Sequence, residues 1–416
     1  MNPAIVIPSY WTVKDRPAEI GRVGSYDHAT PIDKPLPELQ TCLDSLEPVR
    51  GVLRVIILLV ASPECERAAR ARVDGICRMH PRLNPLVIGT AEAEEVKHAI
   101  DRVAPRLKGD PVSLRGYGAI RNMGLAVAAV LGHDVVVFLD DDEVAIDENF
   151  LLDAIYGLGM ETRQGLMIFA KSGYYLHDGS PFAERRPPSL RNRYWTKRAQ
   201  FNEWMERALK KTRISRSNIV CGGCFSLSAQ AFTHVAFDPE ITRGEDLDYL
   251  LNLRMHGHDV WFDNKWRVCH LPPKIPSRAA RFLQDVYRWE YELAKLDYAN
   301  TQKSLRQVRP ESLAPYPKDL LTPEVRTNMS RTALLRALVG PERMAYLKIW
   351  LVGRRHARQW AQRVCGSYFA FQTHWPRIMS IIWADRALSR RLIRLGTPSN
   401  MPAWPVIDGE EADEDA

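Results

Sequence analysis

The nine residues 135–143, VVVFLDDDE, form an apolar run that ends on three consecutive aspartates. The run of valine and phenylalanine is typical of a buried strand, because both faces of such a strand contact other layers. Adjacent carboxylates repel one another, so each must be solvated, paired or bound to a cation. Ligands of open α/β sheets bind at the carboxyl ends of the strands, where this acidic cluster would lie. The stretch therefore predicts a site for a divalent cation that carries a phosphate group.

The sequence around this stretch alternates short β-branched runs with amphipathic segments up to about residue 160. The alternation is the signature of βαβ units, and it predicts an α/β fold with a mostly parallel sheet flanked by helices. Strand signals end near residue 276, where helical spacing predicts a C-terminal helical extension. Strands are predicted at residues 4–7, 53–60, 86–88 and 135–139, with VWFD (260–263) and RVCHL (267–271) as two further strands. Helices are predicted at residues 36–46, 64–79, 92–107, 119–131, 245–255, 279–300 and 344–360, and in parts of 367–395.

The composition is that of a globular chain that prefers anionic partners. Its 416 residues are 45% apolar, which is enough to bury at least one large core. The formal charge is +7, but residues 408–416 carry six acids and no base, so the rest of the chain carries +13. Nucleotide phosphates, anionic lipid surfaces and acidic glycans all suit this charge. Nucleic acid is not expected, because the sequence contains no aromatic and basic nucleic-acid module. The acidic tail itself is predicted to be disordered.

Cysteine and hydrophobicity patterns predict a cytoplasmic location. Seven scattered cysteines do not form a disulfide framework, so a reducing cytosol is expected. The first residues, MNPAIVIPSYW, lack the basic start of a signal peptide. No apolar run reaches the length of about 18 residues that a spanning helix needs. Basic runs at 354–356 and 390–394 in the predicted C-terminal helices are typical of a solvated helix face, and peripheral contact with the inner face of a membrane is the alternative.

Four distant segments offer groups that suit one chemical site: IPSY at 7–10, FLDDDE at 138–143, the GEDLDYLL block from Gly244, and VCHL around His270. Asp142 and Asp246 are 104 residues apart, and His270 follows 24 residues after Asp246. Asp140 and Asp142 alternate at a predicted strand end, so their side chains would point to the same side and approach one cation. Carboxylate and water ligands suit Mg²⁺ or Mn²⁺, and one imidazole shifts the preference towards Mn²⁺.

These segments resemble the GT-A glycosyltransferases, most closely those of family 2. AIRNMGLAVA at 119–128 is similar to the ARNxGL helix of that family, and CGGCFSLSAQAF at 221–232 is similar to its strand that follows two glycines. The resemblance covers about residues 4–273. It implies a GT-A (Rossmann-like) fold and a metal-dependent transfer of a sugar from a nucleotide-diphosphate sugar. The transfer would invert the anomeric configuration. The basic helical extension and aromatic clusters such as Tyr194-Trp195 suit a saccharide or lipid-linked saccharide as the acceptor that offers a hydroxyl group.

The resemblance also implies a role for each matching residue. Asp142 and His270 would bind the metal, and Asp140 would bind the metal or the ribose of the nucleotide. Asp246 would be the general base, with Glu245 as an acceptor-binding or supporting residue; a carboxylate at a helix start suits a base, although both residues could instead be helix caps. The nucleotide sugar would be bordered by Pro8, Ser9, Tyr10, Arg121, Asp140, Asp141, Gly222 and Gly223.

The domain organisation that follows has three parts. Residues 1–275 would form the GT-A domain, with a nucleotide-binding half to about 142 and an acceptor-facing half beyond it. Residues 276–405 would form the helical extension, and 406–416 the acidic tail.

Two departures from the family pattern make the nucleobase uncertain: the second strand ends VASPECE rather than in a DDGSxD run, and a long link at 11–35 follows the first strand.

Three alternatives stay open at this stage. A retaining GT-A transferase and a sugar nucleotidyltransferase would also place a metal at a strand-end acidic motif. A nucleotidyltransferase, however, is expected to have a glycine-rich basic loop after the first strand, and IPSYWTVKD contains no glycine. The third alternative is a non-catalytic scaffold protein that binds the nucleotide sugar without turnover.

Overall fold

The computed structural model describes residues 1–13, 29–105, 107, 109–184, 189–271 and 277–399. These residues form a ten-stranded mixed sheet flanked by helices. The strands are β1 (Pro3–Thr12), β2 (Thr30–Pro31), β3 (Val55–Ala61), β4 (Pro85–Ile88), β5 (Val135–Phe138), β6 (Glu143–Ala145), β7 (Ala170–Leu176), β8 (Ile214–Arg216), β9 (Phe225–Ser228) and β10 (Val260–His270).

Helices cover both faces of the sheet and make up the C-terminal part of the chain. The first eight are α1 (Glu38–Leu46), α2 (Glu66–Met79), α3 (Thr90–Val103), α4 (Tyr117–Val130), α5 (Phe150–Ile155), α6 (Lys197–Leu209), α7 (Ala229–Phe232) and α8 (Glu245–Met255). The others are α9 (Arg278–Ala299), α10 (Glu324–Val339), α11 (Arg343–Lys348), α12 (Arg354–Val364), α13 (Ser367–Gln372), α14 (Trp375–Ile382) and α15 (Arg386–Gly396). A short π-helical segment, Ile349–Gly353, joins α11 to α12.

The sheet runs in the order β4-β3-β1-β5-β9-β7-β10-β6, with β2 beside β1 and β8 beside β10. The first four strands of this order are parallel, as short strands alternating with helices predict. Strand β9 is antiparallel to both of its neighbours, β5 and β7. The predicted α/β fold, with a mostly parallel sheet, flanking helices and a helical C-terminal part, is confirmed.

One strand prediction was wrong. The segments VWFD and RVCHL are not two strands but parts of the single strand β10, which pairs with β7 through a register shift between Phe262 and Arg267. Asp263, the last residue of the first segment, lies fully buried inside the strand, because the buried Lys171 at 3.0 Å and Arg213 at 3.1 Å neutralise its charge.

The C-terminal helices share a core with the sheet. One cluster of buried apolar side chains extends from Ala4 on β1 to Leu392 on α15. Helix α14 anchors this contact, since the buried indole of Trp375 donates a hydrogen bond to the carbonyl oxygen of Phe232 at 2.8 Å. The division of the chain at residues 275 and 276 stays a prediction. Of the predicted irregular segments, residues 14–28 of the long link and the tail beyond residue 399 lie outside the described residues.

A buried ionic network connects the helical part to α8, the helix that starts with the candidate base. The ammonium group of Lys295 on α9 lies 2.6 Å from Asp238 and 2.5 Å from Asp248, and all three side chains are fully buried. The hydroxyl group of Tyr291 also donates to Asp238, at 2.8 Å. Removing one member of such a network would leave an uncompensated buried charge, which is strongly destabilising. The intact network therefore holds α8 in one position against α9.

Within the described residues, no helix is both long and apolar enough to cross a bilayer.

Candidate functional site

The acidic stretch reaches its position because strand β5 ends early. The strand stops at Phe138, residues 140–142 form a turn, and Glu143 starts the short antiparallel strand β6. In the register of this pairing Glu143 lies opposite His270, the last residue of β10. The backbone N–H of Leu271 donates to the carbonyl oxygen of Asp142 at 2.8 Å, which fixes the turn against the strand end. Two segments more than 120 residues apart in the sequence therefore meet at one edge of the sheet.

Asp142, Glu143 and His270 form a cluster that fits a divalent cation. One ligand atom of each lies within 4.8 Å of the others, and the imidazole Nε2 of His270 is 3.2 Å from a carboxylate oxygen of Asp142. Among the described residues, Oε1 of Glu143 and Nδ1 of His270 are buried without a hydrogen-bond partner. Burial raises the pKa of Glu143 well above its usual range, and the charges of Asp140 and Asp142 raise it further. Two carboxylates and one imidazole are ligands that Mn²⁺ and Mg²⁺ accept.

Asp140 is not part of this cluster. Its carboxylate accepts a hydrogen bond from the guanidinium group of Arg121 at 2.7 Å, and Arg121 also lies 3.3 Å from Glu245. Arg121 is buried, with its guanidinium carbon 4.8 Å from the ring centre of Phe138. Burial lowers the pKa of Arg121, but the carboxylates of Asp140 and Glu245 outweigh it and the net shift is upward. The fixed positive charge of Arg121 connects the acidic turn to the start of α8.

The two acidic residues at the start of α8 have different environments. Gly244 precedes them with a φ of +74°, a left-handed conformation that glycine adopts without strain. Glu245 is buried against Arg121, and burial raises its pKa to about 7 although the charge of Arg121 opposes this. Asp246 has a side chain that is 25% exposed and accepts a hydrogen bond from the N–H of Leu247 at 2.7 Å. Asp246 is thus the carboxylate of the pair that solvent or a substrate can reach.

Gly222 and Gly223 lie directly against the charged side chains of the site. A Cβ atom on Gly222 would come within 3.1 Å of the guanidinium group of Arg121 and 3.6 Å of the Cβ atom of Asp246. A Cβ atom on Gly223 would lie only 1.9 Å from Oε2 of Glu143. The N–H of Gly223 donates to the hydroxyl group of Tyr175 at 2.8 Å. The sequence CGGC therefore lets the backbone approach the acidic turn, and no larger residue fits at Gly223 in this arrangement.

Replacement of Gly223 by alanine is expected to displace the carboxylate of Glu143. Because the added methyl group would overlap this carboxylate, we expect the affinity for Mn²⁺ to fall about tenfold or more. Isothermal titration with Mn²⁺ measures the effect. Gly75→Ala on helix α2 is the matched control, since its nearest neighbour is the end of the Arg78 side chain at 3.7 Å. An unchanged Mn²⁺ affinity in Gly223→Ala would contradict the contact.

The end of β1 supports the acidic turn from the other side. The hydroxyl group of Ser9 donates to Oδ2 of Asp141 at 2.6 Å and accepts from the indole N–H of Trp11 at 2.9 Å. Both Ser9 and Asp141 are buried. Pro8 and Tyr10 are half-buried neighbours on the same strand. The structure thus places Ser9 in contact with Asp141. A role of these four residues in binding a nucleotide stays a prediction.

Sequence reasoning missed three residues around His270. Glu143 was quoted in the deciding stretch but not assigned as a ligand. Tyr175 and His177, at and just after the end of β7, place their rings 5.0 Å and 4.8 Å from the imidazole ring of His270. Their alternation at a strand end was the one available signal, because such residues point to the same side.

Tyr175 and His177 also line a cavity of about 220 Å³ beside the cluster. Aromatic rings of Phe201 and Tyr316 form its far side, 5.8 Å apart between ring centres. Burial raises the pKa of Tyr316 to about 12, and the charge of Asp246 is among those that act on its hydroxyl group. The cavity therefore extends from the ring environment of His270 to the aromatic ring of Tyr316. Its remaining lining residues are Pro181, Ala183, Lys197 and Arg198.

No protein-family model matches the chain, and no curated protein matches its sequence. Solved structures of low sequence identity resemble it in outline. One is a mannosyltransferase from Pyrobaculum calidifontis in complex with GDP-Man and Mn²⁺, with 14% identity and a TM-score of 0.46 over 94% of this chain and 87% of that one. Another is glucosyl-3-phosphoglycerate synthase from Mycobacterium tuberculosis in complex with Mn²⁺ and UDP-Glc, with 13% identity and a TM-score of 0.35 over 73% and 80% of the two chains. A third is GalNAc-T7 with UDP, GalNAc and Mn²⁺, with 12% identity and a TM-score of 0.40 over 82% of this chain and 58% of that one.

At these TM-scores and identities, the likeness to the three solved structures is one of overall outline.

Proposed function

We propose that the chain is a metal-dependent glycosyltransferase that moves a sugar from a nucleotide-diphosphate sugar to a hydroxyl group of a saccharide or lipid-linked acceptor. The observation that carries the proposal is the cluster of Asp142, Glu143 and His270 at the end of the sheet, with a separate accessible carboxylate, Asp246, at a nearby helix start. Sugar transfer needs these two elements, since a leaving diphosphate must be stabilised and an acceptor hydroxyl group must lose its proton.

In this proposal Asp142, Glu143 and His270 hold Mn²⁺ or Mg²⁺. The donor set fits because two of its members have a buried polar atom that lacks a hydrogen-bond partner among the described residues. When bound, the ion supplies Lewis-acid stabilisation of the negative charge that develops on the diphosphate. The chain's own contribution is to hold these side chains within 4.8 Å of one another before any ligand arrives.

Arg121 would hold the donor side in place. Two of its guanidinium nitrogens are engaged by Asp140 and Glu245, while the third, Nη1, is buried without a partner among the described residues. A nitrogen of a permanent cation in this state suits a phosphate oxygen. The backbone of Gly222 and Gly223 would lie close to the bound donor beside Arg121, since neither residue has a side chain.

Asp246 would remove the proton of the acceptor hydroxyl group as the sugar is attacked. Its side chain is partly exposed to solvent at the first turn of α8, where the helix dipole favours a negative charge. Glu245 is paired with Arg121 and would orient the site rather than take the proton. The aromatic cavity next to His270 would hold the acceptor, because aromatic rings pack against the apolar faces of sugars. A direct displacement by this hydroxyl group inverts the anomeric configuration.

Calorimetric titration with a panel of nucleotide diphosphates and their sugars tests the proposal. We expect binding in the presence of Mn²⁺, weaker binding with Mg²⁺, and at least about tenfold weaker binding with chelator, because the ion joins the diphosphate to the protein. The Asp142→Ala variant should lose the part of donor binding that depends on the metal ion. Asp297→Ala, at an exposed position on α9, is the matched control.

Absence of binding under every condition would overturn the donor site. Tight binding without transfer or hydrolysis of the sugar would favour the scaffold alternative. A product with retained anomeric configuration would replace inversion by retention without affecting the donor site.

A further inference from the structure

The helical part contains a long segment without acidic residues. Residues 343–384 include seven lysine or arginine residues and two histidines but no aspartate or glutamate. A segment of this length with charges of a single sign produces a positive local potential. None of these basic residues belongs to the cluster around His270 or to the start of α8. The proposed reaction therefore leaves this charge without a role.

The segment presents one apolar and basic face to solvent. Helix α11, the π-helical segment and α12 follow one another without a break from residue 343 to 364. Their inner side is buried through Tyr346, Ile349, Ala357 and Ala361, and α12 packs along α9. The side chain of Trp360 fixes this contact, with its ring centre 5.2 Å from that of Tyr291. The opposite side of α11 and α12 is therefore directed away from the protein.

Large apolar side chains are concentrated at the first half of this outward side. Met344 is 76% exposed and Leu351 59%, and Val352 beside Leu351 is also exposed. The end of α10, four residues before α11, adds the exposed Leu338 and Val339. Exposed basic side chains follow at helical spacing. We define the outer face by the following residues: Leu338, Val339, Met344, Lys348, Leu351, Val352, Arg355, Arg358 and Arg363.

We propose that the outer face binds the surface of a membrane that contains anionic phospholipids. Apolar side chains beside lysine and arginine on one helical side are the combination that suits the interface of a bilayer, since the apolar groups enter the acyl boundary and the cations meet the phosphates. Charge complementarity selects anionic lipid over a neutral surface. Exposed leucine, valine and methionine distinguish the face from a nucleic-acid surface, where phosphate contacts dominate. The inference does not rest on the proposed reaction, since none of the face belongs to that site.

Flotation of the full chain with phospholipid vesicles tests the proposal. We expect binding to vesicles of phosphatidylcholine mixed with phosphatidylglycerol, weaker binding at high salt, and little binding to phosphatidylcholine alone. The double variant Arg355→Glu/Arg358→Glu should bind the anionic vesicles about tenfold less or weaker still. Leu351→Ser/Val352→Ser should also weaken binding, because it removes the part that enters the bilayer.

Control variants change the same residue types elsewhere. Arg67→Glu/Arg78→Glu alters two exposed arginines of α2, and Met160→Ser alters an exposed apolar side chain outside the helical part. Thermal unfolding of each variant verifies that it is folded.

Three results would overturn the proposal. The first is no vesicle binding by the unchanged chain. The second is an equal loss of vesicle binding in the control variants. A loss of vesicle binding in the charge variant without any loss in Leu351→Ser/Val352→Ser counts in the same way, because both outcomes would show general electrostatic attraction. The third is self-association in sedimentation experiments that Leu351→Ser/Val352→Ser abolishes while vesicles do not bind, which would assign the face to a second copy of the chain.

Discussion

Asp246→Asn is expected to lower sugar transfer about 10²- to 10⁴-fold while metal-dependent donor binding stays within about twofold. Asparagine keeps an oxygen that can accept the N–H of Leu247, so the helix start should be preserved. It cannot take a proton from an acceptor hydroxyl group. Rates of transfer from the nucleotide sugar identified by calorimetry to a panel of saccharide and lipid-linked acceptors measure the first effect. Calorimetric titration of the donor measures the second.

Asp297→Asn on α9 provides the matched control for the Asp246 variant, because it makes the same chemical change at an exposed aspartate. It should leave both rate and binding unchanged. Normal transfer by Asp246→Asn would remove Asp246 from the role of base. Equal losses of transfer and of donor binding would show that Asp246 acts in binding or in the structure of the site.

The choice between Glu245 and Asp246 depends on their surroundings rather than on their sequence. Both follow Gly244 and both lie in the first turn of α8, where the helix dipole stabilises negative charge. Glu245 is buried, and its carboxylate lies 3.3 Å from Arg121, which lies 2.7 Å from Asp140. The carboxylate of Glu245 is therefore engaged in the ion pair with the guanidinium group of Arg121. Asp246 has Arg288 at 4.0 Å and stays partly exposed, so an incoming hydroxyl group can reach it.

Local pattern was enough to predict most of the fold. The predicted helix at 245–255 is the helix Glu245–Met255, and the predicted strand at 86–88 lies within Pro85–Ile88, because helical spacing and β-branched runs are local properties. Strand β10 was not predicted as one element. The burial of Asp263 inside this strand depends on Lys171 and Arg213, which lie 92 and 50 residues away in the sequence. Compensation of a buried charge by distant residues has no local pattern.

The candidate site shows the same limit at a smaller scale. The family resemblance implied that Asp142 and His270 would share one site, and the structure places these side chains 3.2 Å apart. The prediction that Asp140 and Asp142 point to the same side assumed an extended strand. The strand ends at Phe138, so the two aspartates lie in a turn, where alternation does not apply. Glu143 enters the cluster instead, because β6 pairs it with His270.

The expected ligand set contains Asp140, whereas the cluster in the structure contains Glu143. Variants of these carboxylates should therefore differ strongly in their affinity for Mn²⁺. Asp142→Asn and Glu143→Gln are each expected to lower the affinity for Mn²⁺ about a hundredfold or more, because each removes a carboxylate from the cluster while keeping the shape of the side chain. Asp140→Asn should lower it by less than about tenfold, since this carboxylate is paired with Arg121. Titration with Mn²⁺ in the absence of nucleotide measures all three affinities.

His270→Gln completes the series and should weaken Mn²⁺ binding more than Asp140→Asn, because the imidazole nitrogen of His270 faces Asp142 at 3.2 Å. The order of the carboxylate variants decides which set holds the ion. A large loss in Asp140→Asn with a small loss in Glu143→Gln would restore the set expected from the family resemblance, Asp140, Asp142 and His270. It would also require Arg121 to release Asp140 when the ion binds. The loss of that ion pair would in turn leave Glu245 as the main partner of Arg121, which would tie metal binding to the start of the helix that carries Asp246.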